Sequence, residues 1–397
     1  MIRTWSAHCL TVILAVAVLI MFIPRLWINP TLFQTALFLL GCVWAIALLV
    51  RPFEVRFSFP MIPLACAVAW GLVQLAANWT AGAADTRVAV LMWLGNLVAF
   101  SIAMQVGRRF LNALLFFAFA ISVISVVQYF GADGKIFWLF PTNDAPVLGP
   151  FVNRDQYAAF IELVLPLALV QALNGGSRAT MFAAISAAMY ASVIAGASRA
   201  GALLATAEVV LAPLALWVKR RAVVEKRFEK RFDNRFDNRR AGAIGVWLLA
   251  LVFVAVVGWG VLWNRFQDPD PFQGRREILS DTVVTIHARP WTGFGLGTFR
   301  TTYPAFASVD FGAVVQHAHN DWAEWAADGG IPFSLLLLSI AIWSVPRAFQ
   351  TVWGIGIVAV FVHATVDFPL QKPVLELWLF ALLGALAAKT SATAESC

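Results

Sequence analysis

Apolar runs of roughly 18 to 22 residues recur along this chain almost without a gap. They fall near 9–28, 31–50, 60–79, 87–106, 110–130, 156–173, 179–197, 199–218, 243–262, 331–346, 349–366 and 373–390. Most are as long as a helix must be to cross a hydrocarbon layer of ~30 Å. The pattern predicts an all-α integral membrane protein of about twelve transmembrane helices, forming a single membrane domain. Helices one to nine occupy 1–263, including a basic cytoplasmic loop at 219–242, and helices ten to twelve occupy 320–397. One large external loop at 264–319 separates helices nine and ten. Met1, Ile2 and Arg3 ahead of the first run resemble a signal peptide. That run is too long and lacks a small-x-small site before Pro24 and Arg25, so it reads as a retained first helix.

Composition agrees with lipid as the solvent. The 397 residues are 60% hydrophobic and 13% charged, with a mean hydropathy of +0.77, where soluble domains carry about a quarter charged residues. A net charge of +7 could suit nucleic acid, but its distribution follows membrane topology, and no nucleic-acid partner is expected. With the N-terminus inside, Arg51, Arg56, Arg108, Arg109, Arg178, Arg347, Lys389 and the 219–240 segment all face the cytoplasm. Both termini are then cytoplasmic and the 264–319 loop is outside, periplasmic in a cell with two membranes. The four cysteines, Cys9, Cys42, Cys66 and Cys397, lack CxxC spacing and indicate neither a zinc site nor a disulfide framework.

Several segments interrupt the apolar series. KRRAVVEKRFEKRFDNRFDNRR places Phe228, Phe232 and Phe236 in one register and Arg227, Arg231, Arg235 and Arg239 in another. This reads as a basic extension of helix eight that fixes topology, with a lipid-surface helix as the rival. The 131–153 loop ends at Arg154, at the mouth of helix six. Arg199 sits between apolar neighbours in SVIAGASRAGALLA, where it faces a polar cavity or binds an anion. Glu162 and Glu208, each in an apolar helix, are ambiguous between structure and function.

In the long loop, GRREILSDTVVTIHARP predicts a short amphipathic helix ending at Pro290, with Ile278, Leu279, Thr282, Val283 and Ile286 on one face and Arg275 and Arg276 at its start. WTGFGLGTF carries Gly293, Gly295 and Gly297; without a preceding strand it reads as a tight turn. The loop closes on His317 and His319, with Asp321 and Glu324 near a helix start.

External arginines with a histidine beside a lipid-filled fold suit transfer from a diphosphate-linked lipid. Guanidinium groups bind phosphate through two parallel hydrogen bonds and neutralise a departing diphosphate. Arg199, Arg275, Arg276 and Arg154 are the candidate diphosphate contacts. A histidine accepts the proton of an attacking hydroxyl near neutral pH, and His319 is the candidate base, with Asn320, Asp321 or Glu324 to orient it and His317 in support. Asp268-Pro269-Asp270 could hold a divalent cation, but a lone triplet reads as a turn. His317-x-His319 lacks the further ligands zinc needs, so no metal and no cofactor are expected. His363 and Asp367, four apart on helix eleven, share a face as a packing strut or a supporting pair.

Five blocks resemble the bacterial O-antigen ligase and polymerase family. They are GPFVNRDQYAAFIELVLPLAL (149–169), SRAGALLA (198–205), GRREILSDTVVTIHARPWTGFGLGTF (274–299), HNDWAEWAADGGIPF (319–333) and HATVDFPLQ (363–371). The resemblance implies a GT-C-like multi-spanning glycosyltransferase that moves a glycan from undecaprenyl diphosphate. Its acceptors are lipid A-core for a ligase, a growing glycan for a polymerase, or a protein. It implies diphosphate contacts for Arg199 and Arg275, with Arg276 a rival for the latter, and an acceptor-activating or leaving-group role for His319. The reading is metal-independent, inverting transfer at the outer face of the inner membrane, with O-antigen ligase activity first. A secondary transporter is the alternative of another class, supported by the helix count and the His363/Asp367 pair but by no internal repeat.

Overall fold

The computed structural model describes residues 2–21, 29–50, 54–132, 134–142, 147–225, 247–248, 251–252, 254–255, 259–267 and 274–394. The basic Phe/Arg repeat from residue 226 onward, Arg51, Asp268-Pro269-Asp270, Cys397 and much of the ninth apolar run lie outside the described residues.

The protein is mostly helical, and among the described residues six helical stretches are long and apolar enough to cross a membrane. They are Ile2–Ile20, Thr31–Val50, Ala83–Gly131, Arg154–Leu173, Arg199–Arg221 and Asp321–Thr351, with shorter apolar helices at Met61–Ala76, Ala179–Ala195 and Pro373–Ala388. Large apolar side chains on these helices point outward: Leu39 is 62% exposed, Ile46 60% and Leu49 85%. A soluble fold would bury such groups, whereas lipid solvates them.

Contacts divide the chain into two compact units. The first comprises Met1–Phe110, Pro269–Val345 and Phe361–Cys397. It holds α1 (Ile2–Ile20), α2 (Asn29–Val50), α3 (Met61–Ala76) and α4 (Ala83–Val106). The second comprises Leu111–Asp268 and Pro346–Val360. It holds α5 (Leu111–Gly131), a hairpin of β1 (Lys135–Ile136) and β2 (Phe140–Pro141), α6 (Arg154–Glu162), α7 (Leu165–Leu173), α8 (Ala179–Ala195), α9 (Arg199–Glu225) and α10 (Trp259–Phe266). The hairpin is a small departure from an all-helical reading; Gln128 holds it by accepting from the Phe137 N–H and donating to the Gly149 carbonyl.

Back in the first unit, α11 (Arg275–Ala288) and a single turn, α12 (Phe299–Thr302), precede α13 (Asp321–Thr351), whose residues from Pro346 on belong to the second unit. α14 (Ile355–His363), of which only Phe361–His363 lies in the first unit, and α15 (Pro373–Ala394) follow. α4 and α15 pack most extensively. Gly384 lets the two backbones meet, since a Cβ there would strike the Phe100 carbonyl. Trp93 of α4 makes edge contacts with Trp325, Phe333 and Phe380 at 6.3, 5.4 and 5.8 Å, joining α13 and α15 to the same core.

The runs read at 331–346 and 349–366 are partitioned differently. A single helix starts ten residues earlier, at Asp321, and continues to Thr351, broken at Gly330 (φ 80°, ψ 166°). The next helix is only nine residues long, too short at 1.5 Å per residue to cross a bilayer. Hydropathy missed the first half of α13 because that half buries carboxylates, which lower the window average.

The break at Gly330 is satisfied from outside the helix. Main-chain N–H groups of Phe294 and Gly295 donate to the carbonyls of Ala327 and Asp328 at 3.1 and 2.9 Å, and the Ile331 N–H donates to Pro290 at 2.8 Å. Gln74 Nε2 donates to Asp328 and Thr292 carbonyls, and its Oε1 accepts the Leu296 N–H. The glycine-rich segment is thus a turn, as expected, and Gly293, Gly295 and Gly297 all have positive φ. It docks on the orphaned groups of a broken helix.

α11 also corrects one detail of its face. Val283 is 44% exposed, while Asp281, Thr282 and Thr285 are buried with Ile278. Asp281 turns inward because its carboxylate accepts the Tyr303 hydroxyl and the Ser308 N–H, each at 3.0 Å. A buried polar group with partners costs little to bury.

Candidate active site

The site in the first unit forms where the start of α13 meets the end of α14. α14 ends with unspent carbonyls and α13 begins with unspent N–H groups. They satisfy one another: the Asp321 N–H donates to Ala364 at 2.8 Å and Asn320 Nδ2 donates to Thr365 at 2.8 Å. Asn320 also caps α13, its Oδ1 accepting the Ala323 N–H at 3.0 Å.

This junction forces His319 into the left-handed region, at φ 52°, a conformation costing a non-glycine residue about 1–3 kcal/mol. The strain aims its ring at Asp367. His319 Nδ1 lies 3.1 Å from Asp367 Oδ1, and the ring edge rests on Phe368 at 4.8 Å. Arg275, from the first turn of α11, donates to the Val366 carbonyl at 3.2 Å and stands 3.9 Å from the same Asp367 oxygen. Arg276, one position on, is exposed.

Asp367 is 2% exposed. Burial alone would push its carboxyl up, but the His319 hydrogen bond and the Arg275 charge more than offset this and hold it below the usual carboxylate range. An ionised Asp367 accepts from Nδ1–H, so the neutral His319 ring presents Nε2 as its basic nitrogen. The expectation that His363 and Asp367 share a helical face needs correcting, because α14 stops at His363. Asp367 belongs to the following turn, its N–H donating to the His363 carbonyl at 3.1 Å. Both residues are buried and their side-chain ligand atoms still lie within 4.8 Å of one another, so His363 joins His319 and Arg275 around the Asp367 carboxylate.

His317 is held quite differently. Its Nδ1 meets Glu324 Oε1 at 3.0 Å, its Nε2 lies 3.5 Å from Lys372 Nζ, and its ring stacks on Phe368 at 4.5 Å. Glu324 Oε2 accepts the Ala318 N–H at 2.7 Å. An ammonium on Nε2 and a carboxylate on Nδ1 specify one tautomer and occupy both nitrogens. The pair therefore makes a poor zinc site, since a metal would share the His317 nitrogen with a lysine. Asp321 and Glu324 do not orient His319: Asp321 Oδ2 accepts the Leu370 N–H at 2.9 Å, and Glu324 serves His317.

Sequence reading missed Lys372. It lies beyond the matched histidine block, just ahead of α15, where burial lowers its pKa against the upward pull of Glu324, Asp367 and Asp321. A lone lysine at the mouth of an apolar run was the available signal.

Arg154 and Arg199 belong to the second unit. Arg154 opens α6 behind the Asn153 cap, whose side chain accepts from Asp155 and Gln156 N–H groups. Arg199 opens α9 and its Nη1 donates to the Arg265 carbonyl at 3.1 Å. Ser198 bridges the two helix starts, donating to Asp155 Oδ1 at 2.6 Å and accepting the Gly201 N–H at 3.0 Å. Glu162 and Glu208 are both fully buried in this unit, at 0% and 1% exposure.

Residues 163–338 match the family model described as O-antigen ligase. Over that stretch, which is less than half of the chain, the protein is similar to that family. The likeness supports membrane glycosyl transfer of the O-antigen ligase and polymerase kind, whose general partners are a lipid-linked glycan and a lipid acceptor. The matched span includes Arg199, Arg275, Arg276, His317, His319 and Glu324; Arg154 precedes it, and His363, Asp367 and Lys372 follow it. No match is found among curated proteins.

Proposed function

We propose that this protein is an O-antigen ligase family member that transfers a glycan from undecaprenyl diphosphate to an acceptor hydroxyl, most simply that of lipid A-core, at the periplasmic face of the inner membrane. The observation carrying this reading is the meeting of His319 and Arg275 on one buried carboxylate, Asp367. Asp367 orients the base and keeps the cation close, so the two groups the reaction needs share one anchor.

In the proposed step His319 Nε2 takes the proton of the acceptor hydroxyl as its oxygen attacks the anomeric carbon in line. The bond to the diphosphate oxygen breaks and undecaprenyl diphosphate leaves with the electron pair, inverting the anomeric centre. Arg275 neutralises the charge that grows on the leaving group. A guanidinium is charged at any working pH, so this role does not call for a metal. Arg199 is proposed as a further phosphate contact, with Arg276 and Arg154 as secondary ones, each testable by its own substitution.

Purified protein supplied with undecaprenyl-diphosphate glycan and acceptor should release the lipid diphosphate. Arg275→Ala and His319→Ala should each abolish release while the protein remains inserted. Wild-type turnover by both variants sinks the assignment. Deleting the gene separates the activities within the family: bare core beside retained lipid-linked polymer means a ligase, and single repeats on core mean a polymerase.

A further inference from the structure

A cavity of about 350 Å³ opens in the first unit between α4, α13, α15 and the turn at 296–300. Four acidic side chains line it: Asp85, which is exposed, and Glu324, Asp328 and Glu376, which are only 3%, 4% and 7% exposed. Trp93 and Trp325 form apolar wall, and Arg300 stands at the rim. His317 lines it too, so the cavity adjoins the His319 site through the 317–319 segment.

The carboxylates are not equally spent. Glu324 uses one oxygen on His317 and the other on the Ala318 N–H. Asp328 uses Oδ2 on the Gly297 N–H, at 2.9 Å, while its Oδ1 is buried with no hydrogen-bond partner among the described residues. A buried carboxylate oxygen without a donor is unfavourable, and the group that enters the cavity must supply one. Acyl chains have no donor to offer. Hydroxyl or ammonium groups fit, above all on a ring whose apolar face can lie on indole. The volume is near the lower end of ligand pockets, ~300–1,000 Å³, which suits one ring rather than a chain of them.

We infer that this cavity is a saccharide subsite that takes one sugar ring bearing hydroxyl or amino groups, Asp328 accepting from it and Trp325 packing against it. The inference rests on the reading of the chain as a glycan transferase, and names which part of the substrate the enzyme grips beside the base. That ring belongs to the donor glycan or to the acceptor; the chemistry is the same.

The test reads binding without turnover, so it stands apart from the transfer assay. Full-length protein in nanodiscs is probed with glucosamine and glucose by saturation-transfer NMR and tryptophan fluorescence. Both should bind, and Asp328→Asn should weaken glucosamine about tenfold. Ala89→Trp, which fills the cavity from α4, should abolish binding; the asparagine variant serves if the tryptophan lowers the unfolding temperature. Absence of sugar binding to wild type, or undiminished binding by Asp328→Asn, overturns the subsite even if transfer proceeds. In turnover, a raised KM for donor or for acceptor in Asp328→Asn supports the subsite and says which supplies the ring; unchanged values for both overturn it.

Discussion

Asp367 Oδ1 stands 3.1 Å from His319 Nδ1 and 3.9 Å from a terminal nitrogen of Arg275. One buried oxygen thereby faces a base and a cation drawn from segments far apart in the chain. Orientation of His319 depends on this carboxylate more than on its sequence neighbours, because those neighbours spend their side chains on helix ends and on His317.

Asp367→Asn keeps the shape of the side chain but can offer the His319 Nδ1 a donor, reversing the tautomer. Transfer should fall by about 10²- to 10⁴-fold, with little change in the fraction of protein inserted. Release of lipid diphosphate under saturating donor measures it. Near-normal kcat would show that His319 needs no such partner.

The two histidines should separate cleanly. His319→Gln is expected to remove turnover, whereas His317→Gln should lower the unfolding temperature and leave measurable transfer, since it strands Glu324 and Lys372 rather than a reacting group. Thermal unfolding beside turnover distinguishes them, and the reverse ranking would move the base to His317.

Arg275→Lys retains the charge but loses the planar fork that also reaches the Val366 carbonyl. Transfer should drop by about ten- to a hundredfold, roughly 1.4–2.8 kcal/mol, while exposed Arg276→Ala should change it little. Equal losses at the two positions, measured as kcat/KM for the donor, would contradict the preference for Arg275.

Acid should weaken the first unit through Asp367. Its folded pKa lies below the ordinary 3.8, so its contribution is present above that value and disappears as pH falls through the folded pKa. Unfolding temperatures measured across pH 2–6 should decline toward the acid end, and Asp367→Asn should flatten that part of the profile. An unchanged profile in the variant would assign the acid sensitivity elsewhere.

Gly330→Ala tests the broken helix. At φ 80° any Cβ is strained, and here it would meet the Trp291 backbone, so a loss of at least about 1–3 kcal/mol is expected. An unfolding midpoint equal to wild type would mean that the break relaxes.

Much of the membrane character was legible one residue at a time. Long apolar runs report their solvent directly, because a helix in lipid satisfies its own backbone and needs only apolar side chains outside. Arg275, the histidine pair and the glycine turn were also legible, since ionisable groups and glycines stand out against such a background. Hydropathy failed where the fold buries charge: the start of α13 carries Asp321, Glu324 and Asp328, all under 5% exposed, and a window average cannot distinguish buried carboxylates from a loop.

What sequence determined, then, is the helical membrane class, the family blocks and the kinds of group available for chemistry. Tertiary structure alone decided that Asp367 serves His319, that Glu324 serves His317, and that Lys372 completes the second cluster. Hydrogen bonds between side chains 48 and 55 residues apart, as these are at Asp367 and Lys372, depend on how helix ends meet. That meeting is set by unspent backbone donors and acceptors at helix ends finding each other across the fold, a condition no local pattern encodes.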